Sequence, residues 1–113
     1  MKIKRQVIVF DAPDLAAESG FWAALLDGTV HAEDDWHSVV VDGEWRLGFQ
    51  LAPNHVPPDW PDGTPQQQIH VDVWVDDFKA AHEKATSLGA GWPPAPRPWP
   101  WPRPPAPVGR PWW

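Results

Sequence analysis

The chain has 113 residues, no cysteine and a net charge of −6 at neutral pH, and this length allows one domain. Fifteen acidic and six basic residues lie in 1–90, which carries −9, whereas 91–113 carries +3. An acidic body repels phosphate backbones, so we expect no nucleic-acid partner. The absence of cysteine excludes disulfides and is typical of a reducing cytosol, so we expect a cytoplasmic protein. The first apolar run ends at Asp11, too early for a signal peptide or a membrane span, so we expect no membrane partner.

The first half of the chain predicts one strand, one helix and three further strands. "RQVIVFD" has the pattern of a buried strand. "PDLAAESGFWAALLDG" predicts a helix that Asp14 caps and that ends before Gly28, with Gly20 tolerated inside it. Strands follow at 29–33, 36–42 and 45–52, and the Asp-Gly dipeptide in "DGE" predicts a hairpin turn between the last two. The apolar stripe of the helix is predicted to contain Leu15, Trp22, Leu25 and Leu26.

The second half begins in the same way and then stops. After a proline-broken loop at 53–66, "QQIHVDVWVD" predicts a strand and "DFKAAHEKATSLGA" predicts a helix that ends at Gly89. Its buried stripe is predicted to contain Phe78, Ala81, Ala85 and Leu88. A shift of 63 residues places Asp14 on Asp77 and Leu25 on Leu88. This match indicates a repeated strand–helix unit of which only the first copy continues into three strands.

Three stretches carry a resemblance to a known family: "FDAPDLAAESGFWAALLDG", "RLGFQLAPNHVPPDWPDGTPQQQIHVDVWVDD" and "AHEKATSLGA". The chain resembles the vicinal-oxygen-chelate superfamily, which includes glyoxalase I, bleomycin-resistance proteins and extradiol dioxygenases. It is most similar to the glyoxalase-like domain branch. The resemblance implies an α+β fold, in which two βαβββ modules form a cup-shaped sheet around a ligand or a metal. We therefore predict a domain over 1–90, with a first module at 1–52, a loop at 53–66 and an incomplete βα module at 67–90.

The segment 91–113 departs from this pattern, because it is an irregular Pro/Trp-rich tail. Proline at alternate positions removes ladder donors, which excludes a central strand. Three interpretations stand, in order of preference. The tail is an aberrant C-terminus read from a shifted frame; it is a polyproline II arm with PxxP spacing at Pro93–Pro96 and Pro102–Pro105; or it is a membrane-active segment around Trp99 and Trp101.

Strand alternation predicts a polar site. In "HVDVWVD" the valines share one face, which leaves His70, Asp72 and Trp74 on the other. In "WRLGFQLA" the residues Leu47, Phe49 and Leu51 form the core face and leave the even-numbered positions towards the cup. The candidate ligand-binding residues are His70, Asp72, Arg46 and Gln50, with Trp74 as an aromatic wall and His55 in a loop that closes over the ligand.

Each candidate also has a structural interpretation, and we prefer it in most cases. His70 is then a hydrogen-bonded strand residue, Asp72 pairs with Arg46 across the sheet, and His55 is a solvated loop residue. We expect Trp60 to pin the loop to the body. The histidines at 31, 37 and 82 are expected at the surface or at an edge. No catalytic residue is assigned.

The resemblance also implies where a metal would be held, because metalloenzymes of the superfamily take ligands from the first, fourth, fifth and last strands. His70 falls at the fifth-strand position and Gln50 near the fourth-strand position. Val7 falls at the first and cannot coordinate a metal, and the last strand has no counterpart. A catalytic site needs about three protein ligands, so we expect no metal cofactor, with His70 and Gln50 as weak candidates for ligands.

The resulting hypothesis is a glyoxalase-like small-molecule binding protein whose catalysis is not established. One alternative is a metal-dependent lyase or dioxygenase of the same superfamily, and another is an interaction module that uses the proline-rich arm. We also expect a homodimer or another self-associated form, because a valine-rich strand edge without its neighbours recruits partners.

Overall fold

The computed structural model describes residues 1–58, 64–66 and 68–91 and divides the chain into two units, Met1–Pro57 and a second unit that begins at Pro58. The unit boundary falls inside the predicted loop at 53–66. The elements of the first unit are β1 (Ile8–Ala12), α1 (Leu15–Leu26), β2 (Thr29–Ala32), β3 (Trp36–Val41) and β4 (Glu44–Leu51). The second unit contains α2 (Phe78–Ser87).

The first unit is a βαβββ module, as predicted. Its four strands lie in the order β1-β4-β3-β2, with β1 parallel to β4 and the other neighbours antiparallel. The core lies between the sheet and α1, where Phe10 stacks on both Trp22 and Phe49 at centroid distances of 5.7 Å. Phe49 and Val39 are fully buried there. The α+β fold class predicted from the sequence is therefore confirmed for this unit.

Local signals set both ends of α1. The Asp14 carboxylate accepts a hydrogen bond from the Ala17 amide at 3.0 Å, which is the predicted N-cap. At the other end Asp27, rather than Gly28, takes the left-handed conformation, with φ 55°. Gly28 is required for space instead, because a Cβ there would lie 2.6 Å from the Val40 carbonyl oxygen. The helix thus ends where β2 must pass close to β3.

The buried stripe of α1 differs from the prediction. Leu15 and Trp22 are buried, but Ser19 and Ala23 complete the stripe, and Leu25 and Leu26 are only half-buried. Ser19 is a polar residue in the core, and its hydroxyl donates to the Leu15 carbonyl at 2.6 Å. A hydrogen-bonded serine is stable inside a helix, so a stripe chosen by hydrophobicity alone misses it.

A β-bulge interrupts the pairing of β3 with β4. Val39 pairs with Leu47, but the next residue, Val40, pairs with Trp45, so Arg46 is the extra residue on β4. A bulge reverses the alternation of side chains on one side of it. Trp45 therefore shares a face with Gly48 and Gln50, which simple alternation did not predict. The predicted place of Arg46 on that face stays a prediction, because the bulge leaves Arg46 outside the regular pairing.

The helix of the second unit begins in the same way as α1. The Asp77 carboxylate accepts from the Ala80 amide at 3.0 Å, and its backbone angles (φ −117°, ψ 100°) match those of Asp14 (φ −128°, ψ 96°). Gly89 has φ 102° and ends the helix as predicted, with the Ala90 amide donating to Ala85 at 3.0 Å. The shift of 63 residues thus relates two structurally equivalent caps.

The strand predicted at 67–75 is not formed within the described residues, 68–75. Half-buried Val71, Val73 and Val75 still alternate with exposed His70, Asp72 and Trp74, so the predicted exposure pattern is present without a ladder. A strand exists only where a neighbouring segment supplies hydrogen-bonding partners. The alternation therefore predicted the faces correctly and the strand wrongly.

Candidate functional site

The face of the first sheet opposite α1 is aromatic at its centre. The pairs Trp36–Gln50, Ser38–Gly48 and Val40–Trp45 all lie on this face. The indoles of Trp36 and Trp45 meet edge to face at 6.0 Å between centroids. Trp36 covers Gly48 so closely that a Cβ on residue 48 would lie 2.5 Å from the ring. We call Trp36, Trp45, Gly48 and Gln50 the tryptophan face.

Both indoles of the tryptophan face are fixed by hydrogen bonds. Trp36 Nε1 donates to the Ser38 hydroxyl at 3.0 Å, and Trp45 Nε1 donates to the Leu47 carbonyl at 2.8 Å. Both side chains are half-buried, so part of each ring lies at the surface. Fixed aromatic rings of this kind offer a contact surface that costs little conformational entropy on binding.

Gln50 lies beside these rings and is itself anchored. Its side-chain amide donates to the Asp35 carbonyl at 3.0 Å, and the Leu51 amide donates to the same carbonyl at 2.9 Å. The acidic turn before β3 is thereby attached to the end of β4. Gln50 was predicted to lie on the sheet face away from the core, and its pairing with Trp36 agrees with that face. Its contact with a ligand stays a prediction.

Arg46 lies at the bulge, next to Trp45 in the sequence. Its guanidinium is 3.6 Å from the Glu44 carboxylate, and both side chains are more than half exposed. The predicted pair between Arg46 and Asp72 would join the two units and stays a prediction. Exposed ion pairs of this kind are weak. The pair with Glu44 would therefore not prevent Arg46 from contacting a ligand.

The second unit carries His70, Asp72 and Trp74 at alternate, exposed positions of the segment 68–75. His70 Nε2 lies 3.7 Å from Asp72 Oδ1, and both side chains are about half exposed. Trp74 is 67% exposed. The imidazole of His70 and the carboxylate of Asp72 are therefore neighbours, in a segment that is not assigned to a strand.

The other residues singled out in the sequence differ in their exposure. His55 is exposed, and its amide donates to the Ala52 carbonyl in a turn. Trp60 and the tail from residue 92 onwards lie outside the described residues. His31 is exposed, as expected, whereas His82 is half-buried and stacks on Phe78.

His37 was predicted at the surface or an edge and is instead half-buried, in contact with the core residue Ser19. Its Nδ1 lies 2.7 Å from the Ser19 hydroxyl, which joins β3 to α1. Since that hydroxyl donates its single hydrogen to Leu15, His37 Nδ1 is the donor in this contact. A sequence signal that could have found it is the alternation within β3, which puts His37 on the same face as Val39. The structure agrees, because His37 pairs with Phe49, a core position of β4.

The donor set does not fit a metal centre of the kind that the resemblance implies. Within 1–58, 64–66 and 68–91, no three of the His, Asp and Glu side chains are grouped to hold an ion. Val7 cannot coordinate, and Gln50, whose Nε2 donates to the Asp35 carbonyl, could offer only its amide oxygen. We derive no chemical step from a metal, and the cofactor prediction remains to be tested by elemental analysis.

In the part of the chain described, no helix has both the length and the apolar character needed to cross a membrane.

Comparison with known proteins identifies the family. The family model described as "Glyoxalase-like domain" matches residues 7–111, a range that runs past the predicted domain boundary at residue 90. A comparison with curated protein sequences found no match. The crystal structure of the fosfomycin resistance protein FosX from Mesorhizobium loti matches with a TM-score of 0.58 at 16% identity, over 87% of this chain and 78% of that one. At that identity FosX shows the fold alone. The chain belongs to the glyoxalase-like domain family of the vicinal-oxygen-chelate superfamily.

Proposed function

We propose that this protein binds a small organic molecule with a carbonyl or anionic group, and that the tryptophan face supplies the contact surface. The observation that carries the proposal is the pair of hydrogen-bonded indoles packed over Gly48 beside the Gln50 amide. Small-molecule sites combine a mostly apolar, aromatic lining with a few fixed polar groups. No reaction is assigned to the site.

The second unit provides the other candidate contacts. Family members form one cup from two modules, which is the reason to include His70, Asp72 and Trp74 as ligand contacts. His70 would donate to a carbonyl or an anion. His55 keeps its proposed role as a loop residue near the ligand. The resistance function printed for FosX belongs to that protein, and it supports only the general class of small-molecule ligands.

A thermal-shift screen tests the proposal. Carbonyl-bearing and anionic small molecules are added to the full chain, and each hit is repeated with Gln50→Ala and His70→Ala. Ligand-induced shifts are taken relative to the same variant without ligand. We expect each variant to weaken the hits about tenfold or more, because losing a hydrogen bond to a charged group costs about 1.5–3 kcal/mol.

Gln66→Ala is the matched control, because Gln66 is an exposed glutamine that is not among the candidate ligand-binding residues. It should leave the hits unchanged. Each titration is repeated with a chelator, so that a metal-dependent hit is recognised by its loss. Hits that survive both Gln50→Ala and His70→Ala at full strength would contradict the proposed site.

A further inference from the structure

A cleft of about 640 Å³ opens at the start of β4, between the residues that precede β1 and the turn from β3 to β4. Lys4, Arg5 and Arg46 line it together with Glu44 and Trp45. All of these residues belong to the first unit. The cleft lies beside the tryptophan face and shares Trp45 with it.

Positive charge is concentrated in this cleft, although the unit around it is acidic. Residues 1–57 contain nine acidic and four basic residues, which gives a net charge of −5. Three of the four basic residues line the cleft, and Glu44 is the one acidic residue in its lining. The cleft therefore carries a local charge of +2. Cations gathered in a concave site focus the field and raise the local concentration of anions.

The fold orders one of these cations, Arg5. The Arg5 guanidinium lies 5.3 Å from the Trp45 ring centroid, and Trp45 is itself hydrogen-bonded to Leu47 at 2.8 Å. The β-bulge lies at Arg46 and removes that residue from the regular alternation of β4. Cation–π contact orders a guanidinium without neutralising it. Arg5 is thus ordered and still charged.

We infer that this cleft binds an oxyanion: the phosphate, phosphonate or carboxylate group of a small molecule. Guanidinium groups match such anions in shape and can bind them through two hydrogen bonds. Two of the three cations are arginines, and Glu44 offsets only one of the three charges. The inference does not depend on the proposed function, because an anion can occupy the cleft whether or not a ligand covers Gln50.

Indole NMR on the full chain labelled with ¹⁵N tests this inference. The chain has ten tryptophans, and a Trp45→Phe variant identifies the Trp45 signal. Inorganic phosphate and methylphosphonate are titrated separately at constant ionic strength, with chloride as the balancing salt. We expect a saturable shift of the Trp45 signal with both probes. Arg46→Ala and Lys4→Ala should each weaken binding about tenfold, whereas Glu44→Gln should strengthen it several-fold.

Two matched variants control for net charge. Lys79→Ala and Glu83→Gln change the charge by the same amounts in an exposed ion pair on α2, which lies in the other unit. Both should leave the affinity within about twofold, because neither residue lines the cleft and solvent screens exposed charges. The inference is wrong if the Trp45 shift does not saturate, if Trp45 does not respond, or if the α2 variants change the affinity as much as the cleft variants.

Discussion

Gly48 shows how one missing side chain shapes the candidate site. The Trp36 ring occupies the space where a Cβ would be, at 2.5 Å and 2.8 Å from two of its carbons, and Val9 lies 3.3 Å away on the neighbouring strand. Trp36 cannot move freely, because it is hydrogen-bonded to Ser38 and packed against Trp45. The position of the indole therefore depends on glycine at this residue.

We predict that Gly48→Ala destabilises the protein by about 1–3 kcal/mol, the usual cost of overpacking. The Trp36 ring must shift, so its fluorescence and near-ultraviolet circular dichroism should change as well. Denaturant unfolding measures the first effect and the native-state spectra measure the second.

Gly20→Ala is the control, since a Cβ at this residue, in the middle of α1, would meet nothing within 4 Å beyond the backbone of its own helix. It should stabilise the protein by about 0.5–1 kcal/mol, because alanine favours the helix more than glycine does. A Gly48→Ala variant as stable as the wild-type protein would show that the indole is not fixed.

At the level of elements, the two aspartate caps are equivalent in geometry. We predict that Asp14→Ala and Asp77→Ala each weaken their own helix by about 0.5–2 kcal/mol, because each removes a hydrogen bond to an otherwise unsatisfied helical amide. Hydrogen exchange measures the effect locally, at Ala17 in α1 and at Ala80 in α2. The loss should appear in the helix that carries the substitution.

Asp76→Ala provides the comparison for α2, because it removes the same charge from the neighbouring exposed residue. If Asp76→Ala accelerated exchange at Ala80 as much as Asp77→Ala, charge near the helix start rather than capping would explain the effect. The structural repeat would then lose its support from the caps.

The elements that local chemistry determines could be predicted from the sequence. Asp14 and Asp77 cap helices through contacts three residues away, and Asp42 and Gly43 form the hairpin turn with φ 51° and 75°. The family resemblance then implied that these elements form a βαβββ module. The helix caps and the hairpin turn depend on residues that are close in the sequence, so a local sequence pattern can predict them.

The features that depend on distant partners could not be predicted in the same way. The bulge at Arg46 follows from the pairing of β3 with β4, and the state of 68–75 depends on whether a partner strand exists. His37 was misassigned because its partner, Ser19, lies on another element. Within the sheet, Gln50 lies on the face opposite α1, as its alternation predicted, whereas Trp45 on that face was missed because of the bulge. The roles of Gln50 and Arg46 towards a ligand stay predictions.

At the level of the whole molecule, the described sheet ends in β1 and β2, and apolar side chains lie exposed in both units. Examples are Val9 at 46%, Ile69 at 58% and Trp74 at 67% exposure. Edge strands and exposed apolar groups favour association between copies. We predict that the protein is a homodimer or a larger assembly, as the sequence suggested. Light scattering over a range of concentrations measures the mass.

The same measurement on a version that ends at Ala90 separates the roles of body and tail. Association through the body should persist after truncation. A stable monomer whose tryptophans at 99 and 101 are shielded from a quencher, and which truncation destabilises, would instead show that the tail belongs to the fold.

The bulge at Arg46 also has a consequence for how this protein can diverge. Val40 pairs with Trp45 and Val39 with Leu47, so Arg46 is the one residue of β4 without a place in this pairing. Deleting its codon would leave Trp45 opposite Val40 on the same face and would restore regular alternation along β4. A relative with a one-residue gap at this point would therefore keep the indole and lose one cation of the cleft. The two surfaces can thus diverge separately, one by a change in chain length and the other by substitution.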